Sequence, residues 1–285
     1  YRSYKWRTEA LQTLYGRATD AYIPSTHPHR TKIVRFQMSY TRRNRQKTLY
    51  LKQKQRVMHL FTFIRNFYWE NGLFTEGRNR SMNSLFARQG DLDGACAVYS
   101  LMMMLMIHKK VNRQELEDRK QAQKATDGGW NSYMRLQDQF LSGLIGLYKD
   151  GYCFDQLADE LRVCFKKKAK AVVTKAYNKR SSSKEKKELT EKIVETIKAG
   201  YPVEIGFTYK NKGGHAVVAI GYCKAIDKLR LFCLDPGFEM PETGFWNAII
   251  DMEYDIHGNA VYSDIHYSKY GVREGTVDEI LTIEV

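Results

Sequence analysis

One cysteine of this chain stands where covalent chemistry is possible. The segment from Gln89 to Ile107 reads QGDLDGACAVYSLMMMLMI and sets Cys96 one or two residues inside the start of an apolar helix. A helix N-terminus carries roughly half a positive charge. That favours thiolate over thiol, and thiolate is the nucleophilic form. Gly94 and Ala95 leave room for a substrate carbonyl. The Cys96 backbone N–H is one donor that the helix itself does not use, and the Gln89 side-chain amide is a second; together they would form an oxyanion hole. Taken alone, a cysteine in an apolar helix reads as a small buried hydrophobe. Met102, Met103, Met104 and Met106 on the same helix read as core filling, not as metal ligands.

The base and its orienting acid come much later in the chain. Gly213-Gly214-His215 opens an apolar strand, HAVVAIGYC, and a turn near Asp227 leads into LRLFCLDPG. His215 then lies at the start of one strand and Asp235 at the end of the next. In an antiparallel hairpin those two ends are neighbours. Asp235 can hold one imidazole nitrogen, leaving the other for Cys96, which is the arrangement of nucleophile, base and orienter. Separately, His215 reads as a solvated strand-start residue and Asp235 as a turn residue before Pro236; it is the three together that specify chemistry. His27, His29, His59, His108, His257 and His266 lack such a context, with His257 in an expected turn.

Those side chains need elements to carry them. Helical spacing predicts helices over residues 1–20, 45–69, 95–108, onward to about 123, 136–148, 154–161 and 188–199. Strands are expected at residues 31–40, 203–209, 215–223, 230–234, 248–254 and 276–284. Residues 76–94 read as a loop, and 165–187 as an exposed Lys-rich excursion around Ser181-Ser182-Ser183. Helices first and strands later point to an α+β fold, a helical part with the Cys96 helix packed on an antiparallel sheet.

The charge is distributed unevenly. Residues 1–80 hold 17 Lys+Arg against 4 Asp+Glu, while the whole chain is only +14. This predicts a basic, mostly helical N-terminal region (1–80) ahead of a nearly neutral domain (81–285). Arg42, Arg43, Arg45, Lys47, Lys52, Lys54 and Arg56 fall among aromatics. Residues 30–56 are therefore a candidate surface for nucleic acid or another polyanion, a helix face docked on the later domain, or a segment covering its cleft. No run of 18 uncharged apolar residues is present, so no membrane span is expected. Five cysteines with no C-x-x-C pair speak against a zinc knuckle or a disulfide framework, and favour a reducing, cytoplasmic setting.

At Gln89, Cys96 with its helix to Ile107, His215 with AVVAIGY, and Asp235-Pro236, the sequence resembles the papain-like cysteine peptidase superfamily. It looks closest to the bacteriocin-leader-processing (double-glycine) peptidases; KAGYPVEIGF, ahead of His215, is similar as well. Gln89 stands seven residues before Cys96, where that group usually has six. The resemblance covers roughly residues 85–240. It implies Cys96 as nucleophile, His215 as base, Asp235 as orienter and Gln89 in the oxyanion hole. It also implies cleavage of peptide or isopeptide bonds through an acyl-enzyme, without a cofactor. Two other functions use the same residues. One is acyl transfer to an amine, since transglutaminases and arylamine acetyltransferases share the Cys-His-Asp order. The other is an inactive papain-like module accompanying a nucleic-acid-binding basic region.

Overall fold

In the computed structural model, the described residues are 61–90, 94–124, 132–141, 151–166, 168–176, 183–209, 212–224, 228–242, 244–253, 259–264 and 271–284. The expected helix over 1–20, the strand over 31–40, residues 45–60 of the long helix, the basic surface of 30–56, and His257 all lie outside them. The chain divides into two compact units, Tyr1–Gln55 and Arg56–Val285, and every described residue belongs to the second.

The strands of this second unit are β1 (Phe61–Phe63), β2 (Phe67–Trp69), β3 (Leu73–Glu76), β4 (Met82–Ser84), β5 (Lys170–Lys175), β6 (Val203–Tyr209), β7 (Lys212–Lys224), β8 (Lys228–Leu234), β9 (Ala248–Glu253), β10 (Asn259–Asp264) and β11 (Val272–Glu284). Its helices are α1 (Cys96–Ile107), α2 (Arg113–Glu117), α3 (Arg119–Lys124), α4 (Ser132–Leu136, running into a π-turn at Gln137–Leu141), α5 (Phe154–Phe165) and α6 (Ser183–Lys198). The class is α+β, as the order of periodicities predicted. No helix among the described residues is long and apolar enough to cross a membrane.

Strands β6 to β11 close on themselves. β6 pairs β7, β7 pairs β8, β8 pairs β9, β9 pairs β10, β10 pairs β11 and β11 returns to β6, every pair antiparallel. Closure leaves these strands no open edge along the circuit. The two 13-residue strands, β7 and β11, extend beyond it and take up β1 and β5 respectively.

Helix α1 is apolar on every side, and Ala97, Val98 and Ser100 through Met106 are buried. It forms because an uninterrupted run of Ala, Leu and Met contains no Gly or Pro to break it. Its Leu and Met side chains are each worth about 1.5–3 kcal/mol when fully buried, relative to exposure. The helix packs on β7 and β6. Inside it Ser100 donates its hydroxyl to the Ala216 carbonyl at 3.3 Å, which ties the cysteine helix to the histidine strand.

Three expectations change. Residues 61–69, expected at the end of a long helix, form β1 and β2; β1 is held by its ladder to β7, a tertiary pairing that overrides local helical spacing. The loop expected over 76–94 contains a 3₁₀ turn at Arg78–Arg80 and strand β4. Within the expected Lys-rich excursion, β5 pairs with β11 from Lys170 to Lys175, and Ala169 and Ala176 at its two ends are buried. Ile64, Leu73 and the β1 ladder belong to the core and sheet of the unit Arg56–Val285.

Candidate active site

Cys96 is the first residue of α1, after Ala95 in the N-cap position. The first turn of an α-helix leaves its N–H groups without intrahelical acceptors, and the Cys96 N–H is one of them. The side chain is half-buried, with Sγ 4.0 Å from the Gly94 carbonyl oxygen. Gly94 reaches this position beside Gly151, where a β-carbon would come within 3.0 Å of the Gly94 oxygen and φ is +66°. Both demands favour glycine there.

His215 sits in β7 opposite Phe207 of β6. Its Nε2 meets Asp235 Oδ1 at 2.9 Å. The remaining ring nitrogen, Nδ1, is then the one left for sulfur, and Cys96 is among the groups whose electrostatics act on the ring. Phe207 presents an edge to the ring at 5.6 Å and Tyr209 stacks on it at 6.2 Å, so the imidazole is fixed between aromatics. Burial opposes the charged ring. The Asp235 carboxylate and the Cys96 sulfur outweigh it and hold the His215 pKa well above the usual imidazole value.

Asp235 is wholly buried at the end of β8. One carboxylate oxygen accepts both the His215 bond and the Gly237 N–H, the latter at 2.7 Å. A β-carbon on Gly237 would lie 3.1 Å from that same oxygen and 3.5 Å from His215 Cε1, so glycine lets the Asp-Pro-Gly turn close over the pair. Asn247 fixes the backbone of the same turn, accepting from the Asp235 N–H and donating to the carbonyls of Asp235 and Phe238. Sequence reasoning missed Asn247. The signal was a polar residue opening the apolar strand β9, in NAIIDM.

Gln89 is tethered through its backbone N–H to the Pro236 carbonyl at 2.9 Å, which brings the loop before α1 against the turn after Asp235. Its amide oxygen is buried. Gln89, Gly94, Cys96, Ala97 and His215 all border one cavity of about 330 Å³, and Asp235 stands directly behind His215. The four expected site residues thus converge, from a loop, a helix tip and two adjacent strands. Three acids that sequence reasoning passed over also gather here: Glu204 of β6, and Asp278 and Glu279 of β11. Burial raises the pKa of each, that of Glu204 well above its ordinary value.

A thiol, a charged or chargeable imidazole and a buried carboxylate in series can carry nucleophilic acyl chemistry. The chain matches the Peptidase_C39 like family over residues 82–262, well over half its length. No curated protein matches it. Among solved structures, the crystal structure of UfSP from C. elegans is similar at 14% identity and a TM-score of 0.35, over 78% of this chain and 33% of that one. The chain therefore spans about a third of that structure's length.

Proposed function

Because the chain belongs to the Peptidase_C39 like family, we propose that it is a cysteine peptidase that cleaves peptide or isopeptide bonds through Cys96, His215 and Asp235. The observation carrying this reading is the 2.9 Å bond from His215 Nε2 to Asp235, which leaves Nδ1 for a sulfur at the first residue of a helix.

The reaction begins with a proton shared between Cys96 and His215 moving to the ring, where the Asp235 carboxylate stabilises the imidazolium. The sulfur attacks the scissile carbonyl carbon, forming a C–S bond and placing charge on the carbonyl oxygen. The Cys96 N–H and the Gln89 side-chain amide receive that charge. Collapse breaks the C–N bond, and His215 gives its proton to the departing amine. Water then attacks the thioester with His215 as base, releasing the acid and restoring the thiol.

The test compares the parent with Cys96→Ala and His215→Ala on peptides containing a Gly-Gly leader junction and on mixed-sequence fluorogenic peptides, alongside iodoacetamide labelling across pH. Activity lost in both variants, with selective Cys96 labelling at neutral pH, supports the reading. All five thiols reacting alike, and only above about pH 8, would overturn it. Product formed only when an amine is added assigns the same site to acyl transfer.

A further inference from the structure

Past Cys96 and His215, the cavity is bordered by Gly206, Phe154, Asp278 and Glu279, and no Lys or Arg among the described residues lines it. Two consecutive acids on one strand would normally point to opposite faces. A register shift between Val277 and Glu279 breaks that alternation and lets both border the same space. Gly206 keeps this end open: a β-carbon there would come within 3.0 Å of Glu279 Cγ and 3.1 Å of the Phe154 ring.

A third acid lies close by without lining the cavity. Glu204 is two residues before Gly206, on the same face of β6. It is fully buried, and neither carboxyl oxygen has a hydrogen-bond partner among the described residues. Its electrostatic neighbours are Cys96 and Glu279, both of which border the cavity. Leaving a buried carboxyl unpaired is costly, and structures rarely do so without a use for the group. Lys175 lies 3.8 Å from Glu279 but is also paired with Asp155. Lys175 thus serves two acids, and no cation among the described residues lines the cavity itself.

We propose that this end of the cavity is a specificity subsite for a Lys or Arg side chain of the substrate, close to the bond that Cys96 attacks. The proposal rests on Cys96 being the nucleophile. An ammonium or guanidinium entering here adds a counter-charge beside Asp278 and Glu279, the latter sharing Lys175 with Asp155, and near the buried Glu204. An aliphatic side chain of the same length enters without doing so.

The experiment uses peptidyl acyloxymethyl ketones carrying Lys, Arg, norleucine or Glu at each of the two positions nearest the reactive group. The readout is the second-order rate of Cys96 modification by intact mass, with iodoacetamide as a reagent too small to report on the subsite. At one position Lys and Arg are expected to react roughly tenfold or more faster than norleucine, and Glu slowest. That ratio is expected to fall towards one in Glu279→Gln combined with Asp278→Asn. Because the ratio is taken within each protein, a partial loss of folded material does not alter it. Selective iodoacetamide labelling of Cys96 with no cationic preference in the parent overturns the subsite and leaves the peptidase reading standing. So does a preference that survives in the double variant. If Cys96 is inert to ketones and iodoacetamide alike, the peptidase reading falls and takes the subsite with it.

Discussion

Asn247 holds Asp235 from both sides of its peptide unit: Oδ1 accepts the Asp235 N–H at 2.6 Å, and Nδ2 donates to the Asp235 carbonyl at 2.8 Å. Both residues are completely buried. Asn247 touches none of the reacting groups and acts as a positioning residue for the acid behind His215. Asn247→Ala removes the acceptor of the buried Asp235 N–H, at about 1–3 kcal/mol. For a unit of this size each kcal/mol lowers Tm by about 2–4 °C. We expect a thermal shift of that order, together with a displaced pH profile of Cys96 labelling, because a misplaced Asp235 supports the imidazolium less well. A shifted melt with an unchanged profile would assign Asn247 to folding alone.

Asp235→Asn keeps a hydrogen-bonding partner for His215 and removes the charge. The carboxylate is the largest of the influences that raise the His215 pKa, so its loss lowers that pKa. A less basic imidazole takes the Cys96 proton less readily, so the thiolate forms, and Cys96 labelling begins, at higher pH. The stability arm has the matching sign. A histidine raised on folding contributes stability fully present below its unfolded value of about 6.5 and lost as pH rises through the folded value. Asp235→Asn should therefore cost most stability in mildly acid buffer and least in alkaline buffer. Equal destabilisation at both ends would contradict the assignment.

The parts of the fold that could be read in advance are those whose local pattern and tertiary role agree. The Cys96 helix is an unbroken apolar run, and β6 to β9 and β11 are apolar segments of strand length between turns, so each appears close to where spacing put it. The meeting of His215 and Asp235 followed from hairpin geometry alone. β1, β4 and β5 were not readable, because three to six residues with mixed polarity become strands only when a neighbouring strand, such as β7 for β1 or β11 for β5, supplies the ladder. The acid pocket was hidden differently. Glu204 lies in VEIGF, where one acid in an apolar strand gives no hint that burial will leave it unpaired, and Asp278 and Glu279 share the cavity only through a bulge that sequence spacing does not announce.

Gly221 of β7 faces Phe63 of β1 across the ladder, and a β-carbon there would sit 2.3–2.9 Å from three atoms of the Phe63 ring. Phe63 in turn packs on Phe232 at 5.0 Å and Trp246 at 5.4 Å, next in sequence to Asn247. Gly221→Ala must displace that ring or bend the strand, at about 1–3 kcal/mol of overpacking. A lower Tm is expected, and a companion Phe63→Leu should recover part of it by making room for the methyl group. Hydrogen exchange at the β1 amides gives a second reading: their protection should fall in Gly221→Ala more than that of β9. An alanine variant with parent-like Tm and β1 protection would show that the ring yields at no cost.

His108 caps the far end of the helix that begins at Cys96. It is buried and stacked on Tyr201 with ring centroids 5.1 Å apart and planes within 4°. Neither ring nitrogen has a hydrogen-bond partner among the described residues. Burial, aided by the nearby Lys110 charge, lowers its pKa from 6.5 to about 4. A histidine depressed on folding favours the neutral state, so its contribution is present above the unfolded value of 6.5 and is lost as pH falls through about 4. Across that window the difference amounts to roughly 3 kcal/mol at 1.36 kcal/mol per pH unit. His108→Phe keeps an aromatic ring against Tyr201 and has no proton to take up. Denaturant unfolding at pH 7 and at pH 4.5 is therefore expected to show a larger acid-induced loss in the parent than in the variant. The two proteins should differ little at pH 7. If their stabilities fall in parallel between those pH values, His108 is not the group that takes up the proton, and the acid sensitivity of the Cys96 helix has another origin.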